Sequence, residues 1–307
     1  MKKIMQYIGI CALMFLAAPY MITAVMGNDN TQIFRNKPVA VHYDKSSDLN
    51  DFDKYIIGVV AAEMPALYNS EALKAQAVAS RTYSINSMER GDITDYSKIG
   101  QAYIDEAEMA KRWSGSFDEY YSKIAEAVLS TSKEIILYEG EPIVAVFHAF
   151  SGGRTENSED VWKEDLPYLK SVSSSFDANA NGFEQEVRFS GSEFITLLQA
   201  VYPDLVFGKG DIIEQIKINE YTQGGYVKSI TIGNKIMSGT TLRGILTLRS
   251  ANFEVYRDMD KIVFVVKGYG HGAGMSQVGA NCLAEEGYTY KQILEHYYSG
   301  IDFGKLE

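Results

Sequence analysis

Apolar positions along this chain change their spacing several times, and each change predicts a different element. From Met5 to Met26 no residue is charged. That run of 22 residues is longer than the roughly 20 that a helix needs to cross a bilayer. Lys2 and Lys3 precede it and no cation follows closely, which places the N-terminus inside and the rest outside. Gln6, Pro19 and Thr23 interrupt the run, so the expectation is an uncleaved anchor, with a cleaved signal peptide as the alternative. Residues 28–37 are polar and read as a linker. Residues 39–43 alternate as a strand does. Asp51–Glu63 has helical spacing and stops ahead of Pro65, which disfavours helix in the residue before it. A second helix starts near Ser70, with Glu71 in its first turn, and runs to about Arg90.

Residues 92–114 are mostly polar and read as irregular, and a helix is expected over 118–131. Strands follow at 134–138 and 142–149 around Glu139-Gly140-Glu141, then a polar loop at 151–165. A helix at 191–202, strands at 212–219 and 226–232, a hairpin of 252–256 with 261–267, and helices at 276–286 and 289–297 complete the pattern. Helices and strands mix without a βαβ rhythm, which predicts an α+β fold. The expected organisation is an anchor or signal peptide at 1–27, the linker at 28–37 and one mixed helix/sheet domain at 38–303.

Composition narrows the function. The formal net charge is −11, and an acidic chain repels phosphate backbones, so nucleic acid is not an expected partner. Only two cysteines occur. Cys11 lies inside the apolar run and Cys282 far along the chain, so there is no disulfide framework. His42, His148, His271 and His296 lack metal-ligand spacing.

Several residues break the pattern in ways that suggest chemistry. Glu63 is a lone carboxylate at the end of Val59-Val60-Ala61-Ala62. Apolar surroundings raise a carboxyl pKa, which suits a general acid. A surface glutamate ending a helix is the plain alternative, although the helix dipole disfavours it. On the next helix, Lys74 and Arg81 are seven residues apart and so lie within about 20° of each other, on the face that carries Val78 and Ile85. Either their stems are buried with the heads in water, or both heads meet a carboxylate or ligand. Tyr168 and Lys170, two apart, would share a strand face. The loop from Ser151 to Asp160 is rich in small hydrogen-bonding residues, which suits sugar hydroxyls and a solvated turn equally. The glycines of Gly268-Tyr269-Gly270-His271-Gly272-Ala273-Gly274 demand tight backbone packing or a close ligand. His271 reads as a hydrogen-bonded structural residue or an acid/base group.

Six ordered blocks of this sequence together resemble the stage II sporulation protein D family, which includes the amidase-enhancer proteins. They are Val59-Val60-Ala61-Ala62-Glu63-Met64-Pro65, Glu71 through Tyr83, Ser151-Gly152-Gly153 through Trp162, Leu166 through Val172, Leu248 through Phe253, and Gly268 through Gln277. The resemblance implies a membrane-anchored lytic transglycosylase that cleaves peptidoglycan glycan strands in forespore engulfment. It places the catalytic role on Glu63 and substrate binding on Lys74, Arg81, Tyr168 and Lys170. The alternative it carries is a non-catalytic enhancer of an N-acetylmuramoyl-L-alanine amidase. It also implies work outside the membrane, between mother cell and forespore, with stage II sporulation proteins P and M as partners. Some members bind zinc through a Cys/His cluster soon after the arginine helix. Here that stretch reads Ser97-Lys98-Ile99-Gly100-Gln101-Ala102-Tyr103, so no metal or other cofactor is expected.

Overall fold

The computed structural model describes residues 51–91, 99–162 and 164–306. The expected anchor, linker and 39–43 strand lie outside the described residues. Among the described residues no helix is long and apolar enough to cross a membrane. The fold is mixed helix and sheet, as the pattern predicts. The described chain forms two compact units, 51–146 with 280–306, and 147–279. Each has its own apolar core, and the second is inserted into the sequence of the first.

In the first unit, helix Asp51–Glu63 begins with Asp51 and Asp53 in its first turn, where acids favour the positive end of the helix dipole. Its middle is buried nearly all round, from Tyr55 to Ala61. Its last backbone bond runs from the Met64 N–H to the Val60 carbonyl, and Pro65 then has no N–H to offer. The Asn69 side chain accepts from the Glu71 N–H at 3.0 Å and caps the next helix, Ser70–Gly91. That helix is also enclosed. Its alanines Ala72, Ala75, Ala77 and Ala79 are fully buried, and its polar face is buried with them. Thr82 and Ser84 donate to the Val78 and Ser80 carbonyls, while Gln76 donates to the Ser80 hydroxyl. Buried polar groups satisfied in this way carry little penalty.

Residues expected to be irregular contain a further helix, Glu106–Trp113, started by Asp105 accepting from the Glu108 N–H. Helix Phe117–Ser130 and a small antiparallel sheet follow, in which Glu134–Tyr138 lies between Asp302–Lys305 and Glu141–Pro142. Glu139 and Gly140 both take positive φ, 52° and 88°, as a tight two-residue hairpin requires.

The second unit holds two antiparallel sheets. One orders Glu184–Ser190, Lys261–Lys267 and Asn252–Asp258 with the Lys261 strand in the centre. The other is Ile216–Tyr221, Val227–Ile232 and Lys235–Met237. Helices Gly191–Val201 and Gly239–Leu246 pack on them through Phe194, Leu198, Leu242, Phe253 and Phe264. Ser190 and Glu193 form a reciprocal capping box that turns strand directly into helix. A short parallel pairing joins Phe147–His148 to Met275–Ser276, so the two ends of the inserted segment meet.

Candidate functional site

Glu63 ends its helix half-buried, and its carboxylate accepts the Ala102 N–H at 3.1 Å. A negative charge at a helix C-terminus is unfavourable by itself. The donor from a separate segment answers that problem. The same segment is held again two residues later, where the Ile104 N–H donates to the Gly58 carbonyl at 3.2 Å. Residues 102–104 therefore run back along the Asp51–Glu63 helix and fix the carboxylate from outside it.

Arg81 does not present its head to a ligand. It is 1% exposed. Its guanidinium donates to the Val128 and Glu134 carbonyls, both at 3.1 Å, and lies 3.8 Å from the Asp53 carboxylate. Burial pulls its pKa down to about 10, against the opposing pull of Asp53 and Glu134. This corrects the expectation that Arg81 contacts substrate: in this geometry it ties the Ser70 helix to the Asp51 helix and to the start of the sheet. Lys74 is partly exposed and pairs with Glu71 at 2.7 Å. Glu71 in turn accepts the Tyr290 N–H at 2.8 Å, so Lys74 sits where the two separated stretches of this unit join.

Tyr168 and Lys170 belong to the other unit. They do not share a strand face. The Leu169 N–H bonds to the Leu166 carbonyl in a turn, which leaves Tyr168 8% exposed and Lys170 on the surface. Lys170 pairs with Asp165 and, at 3.5 Å, with Glu159. The chemistry of the polar loop is likewise turned inward. Ser151 donates from its N–H and its hydroxyl to Asp177 at 2.7 and 2.6 Å, and Ser276 donates to the other oxygen at 2.6 Å. Asp177, fully buried, thus fastens the Ser151 loop to the segment after the glycine-rich run. Sequence reasoning passed over Asp177, because nothing in Ser175-Phe176-Asp177-Ala178 marks it locally.

The glycines of that run serve packing. A Cβ on Gly270 would lie 2.6 Å from the His148 side chain, and one on Gly272 would lie 2.5 Å from the Tyr226 hydroxyl. His271 accepts the Ala273 N–H at 3.1 Å and its ring lies 4.9 Å from that of Trp162 and 5.7 Å from that of His148. Burial, then His148 and Arg243, push His271 down to about 3, and burial takes His148 down to about 4. Both rings are therefore neutral at pH 7, and His271 reads as structural. Glu156 is another residue missed from sequence. It is 2% exposed and accepts from the Thr222 hydroxyl at 2.7 Å. Burial raises its pKa to about 8, aided by Asp160 and Glu159 and opposed by Thr222 and the Gly224 N–H. Among the described residues no group of three or more His, Cys, Asp or Glu side chains could hold a metal ion.

The family model for the stage II sporulation protein (SpoIID) matches residues 45–138, the stretch that carries Glu63, Lys74 and Arg81. The chain is 37% identical over 278 residues to stage II sporulation protein D of Bacillus subtilis (strain 168), covering 88% of this chain and 79% of that protein. To stage II sporulation protein D of Bacillus amyloliquefaciens it is 36% identical over 285 residues, covering 89% and 81%. To the amidase enhancer of Bacillus subtilis (strain 168) it is 31% identical over 293 residues, covering 79% of this chain and 39% of that one. The chain belongs to the stage II sporulation protein D family, a family of sporulation.

Proposed function

We propose that this protein is a lytic transglycosylase of peptidoglycan, with Glu63 as its single acid/base. The observation that supports it most is the seating of Glu63: a half-buried carboxylate, held by the Ala102 N–H, in an otherwise apolar helix end. Hydrolytic glycosidases usually need two carboxylates, one of them to activate water or attack the sugar. Here the protonated Glu63 gives its proton to the oxygen that links C1 of N-acetylmuramic acid to N-acetylglucosamine, and the C1–O bond breaks. The carboxylate so formed, stabilised by the Ala102 N–H, takes the proton of the muramic C6 hydroxyl as O6 bonds to C1. The product is a 1,6-anhydro end, Glu63 regains its proton, and no water is consumed.

In this reading Lys74, Tyr168 and Lys170 bind glycan, and Arg81 positions the helix behind Glu63. The segment 5–26 tethers the protein with its described residues outside the membrane, beside stage II sporulation proteins P and M. The 31% identity to an amidase enhancer supports a second reading, a peptidoglycan-binding stimulator without chemistry of its own. Incubating the purified chain with denuded glycan separates the two. Anhydromuramic products support the first reading. No cleavage, with faster turnover by an added amidase, supports the second.

A further inference from the structure

Tyr103 is the residue next to the one that holds Glu63, and it is 45% exposed. Its ring is nevertheless firmly seated. It stacks on Tyr55 with centroids 5.7 Å apart and planes 15° apart, and it lies directly over Gly58. A Cβ at Gly58 would fall 2.3 Å from the Tyr103 ring and 2.7 Å from the Ile104 carbonyl oxygen. Glycine in a helix interior lowers helix stability, so the Asp51–Glu63 helix gives up propensity at the place where this ring sits. The backbone on both sides is pinned, by Ala102 to Glu63 and by Ile104 to Gly58. Burial and the nearby Asp105 and Glu106 raise the phenol pKa, so the hydroxyl stays protonated and uncharged at neutral pH.

A large aromatic that is held in place on one side and left 45% exposed offers an ordered face to a ligand. It suits a ligand with a flat, weakly positive C–H face, because the aromatic face is electron-rich. A pyranose ring has such a face. The low entropy of an ordered ring also lowers the cost of binding. We propose that Tyr103 is the platform on which an N-acetylated sugar of the glycan strand stacks, on the stretch of the Asp51–Glu63 helix more than one turn back from Glu63. This rests on the reading of Glu63 as the acid/base and adds the residue that holds the sugar there.

The test uses the full-length chain carrying Glu63→Gln, so that binding is measured without turnover. The probe is a denuded N-acetylglucosamine–N-acetylmuramic acid tetrasaccharide, titrated by calorimetry. Tyr103→Ala should weaken binding about tenfold, while Tyr103→Phe should stay within about twofold. Tyr103→Leu keeps an apolar contact on Tyr55 and Gly58 without a flat ring, and it too should bind about tenfold more weakly with an unchanged thermal midpoint. Leu binding within about twofold of the tyrosine protein would overturn the stacking role. The two claims fail separately. Full cleavage activity in Glu63→Gln would remove the catalytic reading, and the Tyr103 series would then be read as KM for the same tetrasaccharide, with the same tenfold and twofold limits deciding the stacking role.

Discussion

Arg81→Ala is the change whose consequence the structure defines best. It removes a fully buried guanidinium that serves two carbonyls and one carboxylate. The Asp53 carboxylate, 6% exposed, keeps the Ser132 hydroxyl at 3.2 Å but loses the Arg81 guanidinium. Stranding one member of a buried pair costs about 3–5 kcal/mol. That is a large part of the roughly 5–15 kcal/mol that holds a domain together. The expected result is a thermal midpoint lowered by about 10 °C or more, followed by circular dichroism. Glycan cleavage should fall only as far as the folded fraction does, and should recover on cooling. Replacing both partners with apolar residues, Arg81→Met with Asp53→Leu, should restore most of the stability, because no unpaired charge remains. An Arg81→Ala protein that melts normally but no longer cleaves glycan would refute this reasoning and return Arg81 to the substrate.

Three other outcomes follow from the structure and sequence. The folded pKa of Glu156 lies near 8, above its ordinary value of 4.5, so its stabilising contribution is complete below about pH 4.5 and is lost as pH rises through 8; Glu156→Gln should flatten the decline in denaturant midpoint between pH 5 and 8, and an unaltered slope would show that Glu156 is not its source. Lacking a Cys/His cluster after its arginine helix, the protein should bind no stoichiometric zinc and keep its activity in chelator; one tightly bound zinc per chain, found by elemental analysis, would contradict this. If residues 5–26 are an anchor, the cellular protein should stay in the membrane pellet at high salt, whereas a soluble form starting near Gly27 would show a cleaved signal peptide.

What the sequence revealed was what local periodicity controls. Helix Asp51–Glu63 was legible to the residue because an acidic start and Pro65 bound an apolar run. The Glu139-Gly140 hairpin was legible because Gly140 suits positive φ and apolar runs flank the turn. Helix Glu106–Trp113 was hidden, since a cap at Asp105 looks like any other acid in a polar stretch. The fate of Arg81 was hidden for a different reason. A helical wheel places it on the same face as Val78, but its partners come from residues 53, 128 and 134, and only tertiary packing brings them there. The same holds for Asp177, which joins loops 26 and 99 residues away, and for Glu156, whose partner Thr222 is 66 residues distant. The division into two units was invisible because the chain crosses at residues 146–147, where a short strand begins, and at 279–280, inside helix Gln277–Glu285, with no break in composition at either place. Glu63 stood out early because a lone charge ending an apolar helix has few structural explanations.

The central claim is that one carboxylate acts twice, and the most direct measurement is mass spectrometry of the glycan fragments made by the full-length protein and by Glu63→Gln. The account predicts 1,6-anhydromuramic ends from the unaltered protein. It predicts a loss of about 10²–10⁴-fold or more in Glu63→Gln, which keeps the shape of the side chain but cannot cycle a proton. Reducing ends would mean that water is the nucleophile, and full activity in Glu63→Gln would mean that the proton comes from elsewhere; either result would contradict the account.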